Sequence, residues 1–424
     1  MSRVLCFFEY DKVPYSVFSP EQVLAIRRLH TLTDGLYYNL GDSSITFKEH
    51  VGVIQINELT IEILPKIDRE DNDKGKWHDI LLQMLKECRF MDPQSSGYAN
   101  LKLKSNSVLE LYFEKYVQEL ELLLHHGLIK RYRVEEGNQY TLKGRLLFGQ
   151  HINENLCHAE RFYVQYDQYD NRHPLHQVLR QALQIICRLT GRSRLSDRIN
   201  QLLTQWPEGE HLPIDESFFA RFPQTRKTQS YRDALMIAKM VLFNYHPDLR
   251  GGRESVLALM FNMNNLWEEF VFRRLKSCER HFNWKVSDQR RLKYWSVGSS
   301  GKLLIPDILI ESTDGRKIII DTKWKRPTKN KPDDQDLRQL LAYKLYYQSG
   351  SAYLLYPCYG RQSFTVAGQY HPTPYRSKDM VFRESFGLDG GLMFMNMLQN
   401  NTLLSKKEFR KMAASLFEIQ EDKL

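Results

Sequence analysis

The sequence predicts an α+β multidomain chain: a β-rich amino-terminal module, a largely helical middle and a carboxy-terminal α/β domain with a mixed sheet. Three observations predict it. Residues 1–66 carry several short β-branched segments separated by turn residues. Residues 77–135 change to apolar spacing of i, i+3, i+4. Residues 256–357 read in the order α-β-β-β-α-β. The expected domains are 1–76, 77–250 and 251–424, which a chain of 424 residues can supply with separate cores.

In the first module, EQVLAIRRLH (21–30) has a helical pattern, and GLYYNLG, SITFKEHVGVIQIN and LTIEILPKI read as strands of a small antiparallel sheet or barrel. The charged stretch 67–76 reads as an exposed loop. WHDILLQMLKECRFM and SVLELYFEKYVQELELLLHHGL read as helices. His125 and His126 end the second of these and have no third ligand at metal-site spacing, so they are expected on the surface. Residues 128–152 are expected to form a hairpin around Glu136-Gly137-Asn138, followed by helices at 169–190 and 231–245. HPDLRGGRES (246–255) is a turn-rich break, and 256–278 is expected as one long amphipathic helix. NWKVSDQ, YWSVG and the pair LLIPDILI and RKIIIDTKW supply strands, QDLRQLLAYKLYYQ a helix, and SAYLLYP a buried strand. The tail from 377 reads as helical only near its end.

Composition excludes several classes. Hydrophobic content of 42% and charged content of 26% are those of an ordinary soluble protein. No apolar run approaches the 18 residues of a membrane span, and the opening MSRVLCFFEYDKVPYS has too short an apolar patch for a signal peptide. The six cysteines are scattered with no C-x-x-C, which argues against a zinc site or a disulfide framework and points to the cytoplasm. No nucleotide loop is found: Gly298-Ser-Ser-Gly-Lys302 has too few residues between its glycines, and Leu303 stands where Ser or Thr should follow the lysine. The net charge of +9 is concentrated, because residues 273–331 hold 16 Lys and Arg against 6 Asp and Glu. A polyanion such as nucleic acid is the natural partner of that segment.

The same segment contains LLIPDILIESTDGRKIIIDTKWK (303–325). Two apolar runs flank a polar turn, and each carries one aspartate, Asp307 and Asp321, with Lys323 two residues beyond the second. A two-residue Asp-Gly loop would put the aspartates on opposite faces. A three-residue loop with Gly315 left-handed places Asp307 directly against Asp321, and this register is the expected one. Opposed carboxylates repel each other, and a hard cation removes the penalty. A loosely spaced D-x(n)-[D/E]-x-K occurs by chance about once in a chain of this length, so the pattern alone says little. Two acids set into apolar strands, where a lone charge is costly, say more. The bland alternative is a pair of solvated edge-strand acids.

Helix, strand, strand and helix with acid, acid and lysine in that order resembles the PD-(D/E)xK nuclease superfamily over roughly residues 256–360. The residues that carry the resemblance are Glu268, Pro306-Asp307, Asp321-Thr322-Lys323, and Gln339 with Tyr343. LKGRLLFGQHI (142–152), YDQYDNRHPLHQVLRQAL, GRESVLALMFNMNNLWEEFVFRRL and VGVIQINELTIEILPKI are together similar to the McrC family, the nuclease subunit of McrBC modification-dependent restriction systems. That resemblance implies a PD-(D/E)xK nuclease domain at 251–424. It implies an McrB-like AAA+ GTPase ring as partner, with docking through the middle domain and stimulation of GTP hydrolysis. It also implies modified double-stranded DNA as substrate and dimerisation of the nuclease domains. Asp307 and Asp321, with the Thr322 carbonyl, would hold Mg2+ or Mn2+, while Lys323 would orient water or stabilise phosphate charge. Glu268 is favoured over Glu269 to complete the site, and Gln339 would support it. Arg290, Arg291, Lys293, Lys325, Arg326, Lys329 and Lys331 are candidate phosphate contacts, with Trp295 and Trp324 interleaved. The rival readings are a non-catalytic activator of an NTPase, and a stand-alone metal-dependent nuclease for RNA or branched DNA.

Overall fold

The computed structural model describes residues 3–56, 58–67, 72–88, 108–190, 194–209, 212–221, 225, 227–247, 255–297, 300–325, 327, 331–370, 389–399 and 401–417. The fold is a mixture of α and β with several sheets. By its internal contacts the chain divides into two compact units, residues 1–98 together with 260–424, and residues 99–259.

In the first unit, the strands His50–Ile56 and Leu59–Leu64 form an antiparallel hairpin buried at every position. Arg3–Phe8 lies beside Leu59–Leu64 in parallel, so the expected all-antiparallel sheet is instead mixed. Parallel pairing suits strands covered on both faces. A separate antiparallel sheet takes Lys12–Pro14, Ser44–Phe47 and Tyr38–Leu40, so SITFKEHVGVIQIN is two strands in two sheets rather than one. The helix Pro20–Leu32 starts at a Ser19 capping box with proline at its first position. Helix Lys74–Glu87 packs on Met263–Lys276, joined by an Arg274–Glu87 ion pair of 2.5 Å.

The carboxy-terminal part of this unit is a six-stranded mixed sheet. Its strand order is Trp284–Asp288, Ile308–Ser312, Lys317–Thr322, Ser351–Cys358, Asp389–Asn396, Phe364–Gln369. Ile308–Ser312 is antiparallel to both its neighbours, whereas Lys317–Thr322, Ser351–Cys358 and Asp389–Asn396 run parallel. Helix Asp334–Tyr346 makes the crossover between the first two parallel strands. Leu340, Tyr343 and Tyr347 pack with Leu309, Ile319, Leu354 and Phe394 of the sheet in one apolar cluster. The strands Phe364–Gln369 and Asp389–Asn396 were not expected from the sequence.

Three further expectations are corrected. LLIPDILI is not one strand: Pro306, with no N–H to offer a ladder, divides it. Ser300–Leu304 pairs with Leu292–Val297 in a separate two-stranded ribbon, and Ile308–Ser312 enters the main sheet. Residues 256–262 are not helical. Ser255–Asn262 is a strand, and the Asn262 side chain accepts the N–H groups of Asn264 and Asn265 to start the helix Met263–Lys276. In the second unit there is no hairpin at 136–138. Arg131–Gln139 is one continuous strand, with Gly137 paired to Val164 of Phe162–Asp170.

Most of the other described residues of the second unit are helical. Val108–His126, Pro174–Leu189, Arg194–Gln205 and Arg232–Asn244 pack together. His176, fully buried, bonds the Tyr231 hydroxyl at 3.0 Å, and Trp206 donates to the His176 carbonyl at 2.8 Å. His125 and His126 are exposed at the end of their helix.

Candidate active site

The site is built on the hairpin Ile308–Ser312 and Lys317–Thr322. Gly315 adopts φ +86°, its N–H donates to the Ser312 carbonyl at 3.0 Å, and the Ser312 N–H donates to the Arg316 carbonyl at 2.9 Å. The loop is therefore the three-residue Thr313-Asp314-Gly315. The pairs Ile308–Ile320 and Leu309–Ile319 follow, and where the ladder ends Asp307 lies beside the second strand, its Oδ2 accepting the Thr322 N–H.

Asp321 is buried and Asp307 half-buried, and desolvation raises both pKa values. Asp321 is 1% exposed and is pushed up to about 7, by burial first and by the Asp307 charge second. Asp307 is held above the usual carboxylate range by burial, against the pull of two hydrogen bonds: its Oδ2 accepts the Thr322 N–H at 2.6 Å and the Thr322 hydroxyl at 2.8 Å. The Lys323 ammonium lies 2.8 Å from Oδ2 of Asp321 in an ion pair. Burial alone would lower the lysine pKa, and the charge of Asp321 overrides it and holds the group above its ordinary value.

Glu268 reaches this pair from the helix Met263–Lys276. It is pushed up to about 7, by burial first and then by Asp307, and it accepts a hydrogen bond from Gln289 at 3.2 Å. Glu269 is turned elsewhere and pairs with Arg273 at 2.5 Å. Gln339 donates to the Tyr343 hydroxyl at 2.7 Å, which donates in turn to the Ile305 carbonyl at 2.8 Å. Gln339 thus braces the backbone leading into Pro306-Asp307.

Among the described residues, no group of three or more His, Cys, Asp or Glu side chains is arranged to hold a metal ion. A two-carboxylate site is a different matter. Asp307 and the buried Asp321 bring two carboxylates against the Lys323 ammonium, which lies 2.8 Å from Oδ2 of Asp321. The donors are all hard oxygen, which fits Mg2+, an ion that binds through one or two carboxylates and keeps waters for the rest.

A family model described as "McrBC 5-methylcytosine restriction system component" matches residues 45–357. The chain belongs to this McrBC family. No curated protein matches it. Among solved structures, the McrC chain of a half-complex from the tetradecameric assembly of Thermococcus gammatolerans McrB AAA+ hexamers with bound McrC aligns over 97% of this chain and 99% of that one. The TM-score is 0.69 at 14% identity, a likeness of fold. The Thermococcus gammatolerans McrBC complex aligns over 64% and 87%, with TM-score 0.49 and 14% identity.

In this McrBC-family chain two residues stand differently from their sequence reading. Trp324 does not belong to the phosphate-binding surface. It is 5% exposed, donates to Glu9 at 2.7 Å and packs 5.7 Å from the Trp267 ring. Asp336 was missed altogether. It is buried, 3.6 Å from the Lys323 ammonium and 2.6 Å from that of Lys325. The signal lay in its spacing, one helical turn before Gln339 on the same face, but in the run DDQD it reads as helix-start acid. Lys325 is engaged by Asp336 and also by Asp333. Arg290 pairs with Glu311 at 3.0 Å, while Arg291, Lys293 and Lys331 are exposed. Arg326 and Lys329 lie outside the described residues.

Proposed function

We propose that this chain is the DNA-cutting subunit of a McrBC-type restriction system, with a PD-(D/E)xK nuclease domain within 251–424. The observation that carries the reading is the buried Asp321 with the half-buried Asp307 close enough to raise its pKa and Lys323 beside it. Magnesium, when bound, would supply Lewis-acid activation of a water and charge neutralisation at the phosphate. Asp307 and Asp321 would hold it with the Thr322 carbonyl, and Thr322 fixes the orientation of Asp307 through two hydrogen bonds. Lys323, kept protonated by Asp321 and Asp336, stands ready to stabilise negative charge developing on phosphate oxygens. Glu268 completes the acidic wall.

The partner is an McrB-like AAA+ GTPase ring, and the second unit provides its docking surface. Around the sheet of Arg131–Gln139 and Phe162–Asp170, large apolar side chains lie open to solvent: Tyr132, Tyr140, Leu142, Phe148 at 69% and Leu156 at 80%. Exposed apolar side chains concentrated in one substructure mark a protein interface. The substrate is modified double-stranded DNA, cut by two nuclease domains acting as a dimer.

The test is cleavage of a cytosine-methylated plasmid by wild type, Asp321→Ala and Phe148→Asp, each with and without the neighbouring-gene NTPase and GTP. Wild type is expected to cut only with the partner. Asp321→Ala is expected to stimulate GTP hydrolysis without cutting, and Phe148→Asp to do neither. Equal cutting by Asp321→Ala would sink the reading. Cutting by wild type without a partner would favour the stand-alone nuclease.

A further inference from the structure

We propose that the ribbon of Leu292–Val297 and Ser300–Leu304 is an arm that seats in a groove of duplex DNA beside the carboxylate pair. The inference rests on the reading of the chain as a DNA nuclease. Successive strand residues face opposite sides, so a strand packed on anything alternates between buried and exposed. Here Lys293 through Val297 and Ser300 through Leu303 are exposed without alternation, so the body of the protein covers neither face. A free two-stranded hairpin is marginal on its own in water, and this one displays Tyr294, Trp295, Val297 and Leu303 to solvent. Such an element is suited to being covered by something else.

Charge identifies the occupant. Between residues 289 and 306 there are four basic side chains, Arg290, Arg291, Lys293 and Lys302, and no acidic one. Trp295 stands directly across from Lys302, so an aromatic plane and an ammonium share one face. A ribbon of this width enters the major groove, about 12 Å across, and an aromatic side chain on it can stack on or wedge between bases.

The ribbon is also fixed to the site. At its base the Gln289 N–H donates to the Asp307 carbonyl at 3.2 Å, and the Gln289 side chain holds Glu268. The Tyr347 hydroxyl bonds the carbonyls of Arg290 and Leu304, one at the foot of each strand. A bulge between Lys293 and Trp295 leaves Tyr294 as the extra residue, and its ring meets Tyr346 edge-on at 5.8 Å. Bulges of this kind re-aim side chains next to active sites. A duplex gripped by the ribbon is therefore held in register with Asp307 and Asp321.

The experiment is anisotropy of a labelled duplex with the full-length chain in EDTA, for wild type, Trp295→Ala, Trp295→Phe and Lys302→Ala. Both substituted positions are exposed, and matched melting curves check the fold. Trp295→Ala is expected to weaken binding about tenfold and Trp295→Phe to retain most of it. Lys302→Ala should lower the slope of log affinity against log salt by about one. Wild-type affinity and slope in all three variants would overturn the proposal. If the variants lose association with the NTPase instead, the ribbon is a protein interface and the proposal also fails. A wild-type chain that cuts, with Trp295→Ala binding unchanged, removes the ribbon and leaves the nuclease reading standing. A wild type that neither binds duplex nor loses cutting with Asp321→Ala removes both.

Discussion

Asp321→Asn is expected to abolish cleavage while making the metal-free chain more stable at pH 8. The loss of cutting is at least about 10³-fold, since on the proposed function Asp321 holds the metal, and removing such a carboxylate forfeits several kcal/mol of transition-state stabilisation. The gain in stability follows from linkage. The folded state raises the Asp321 pKa to about 7, above the value of about 3.9 in an unfolded chain. Folding therefore favours the protonated form. That contribution is fully present below pH 4 and is lost as pH rises through 7, where the folded protein must bury a charge beside Asp307. Asparagine never carries the charge. The difference should be about 1–3 kcal/mol at pH 8, about a third of that at pH 5, and should vanish below pH 4. Melting curves at the two pH values, with and without Mg2+, check it. Magnesium should raise the wild-type melting temperature at pH 8 and leave the variant unmoved, because a ligand stabilises only the state that binds it. A variant less stable than wild type at pH 8 would show that the aspartates are not in conflict in the apo protein.

Trp324→Ala is expected to cost about 3–5 kcal/mol, the range for emptying a buried tryptophan site. The indole fills space against Trp267 and supplies the donor for Glu9, whose carboxyl is already pushed up to about 7, chiefly by burial. Trp324→Phe keeps most of the volume and leaves Glu9 with the Lys66 N–H alone, for a cost of about 1–3 kcal/mol. Because Trp324 follows Lys323 directly, both substitutions should also slow cutting, and Glu9→Gln should recover part of the stability lost in Trp324→Phe by removing the buried carboxylate. Chemical denaturation of the four chains measures this. If Trp324→Ala proves neutral, the indole is not a core residue.

Much of the site was legible before the structure because its constraints are local. The turn Thr313-Asp314-Gly315, with a glycine able to take φ > 0 at its third position, sets the register of the hairpin, and that register brings Asp307 near Asp321. What was not legible depended on distant partners. VLALMFN is a short apolar run that suits a buried helix or a buried strand equally, and its neighbours decide. Glu136-Gly137-Asn138 has turn chemistry but lies extended, because Phe162–Asp170 pairs with it along its whole length. Trp324 looked like a nucleic-acid contact among basic residues, and only Glu9, 315 positions earlier, shows that it points inward. Asp336 hid for the same reason: its meaning comes from lysines that the crossover brings to it.

The bond from Trp324 to Glu9 also sets a clock. On the ribosome, at about 5–20 residues per second, Trp324 emerges roughly 15–60 s after Glu9. Through that interval the amino-terminal strand has no indole to meet its carboxyl, and Asp321 and Lys323 are still unsynthesised or confined to the exit tunnel. The whole of residues 99–259 is made before the hairpin of Asp307 and Asp321 exists. On the proposed function, a nascent chain would thus offer its partner surface well before it could break a phosphodiester bond. Arrested nascent chains ending near residue 300 should capture the NTPase yet remain protease-sensitive in residues 3–64. Full-length chains should be resistant there. Resistance already present at residue 300 would mean that the amino-terminal sheet matures without Trp324.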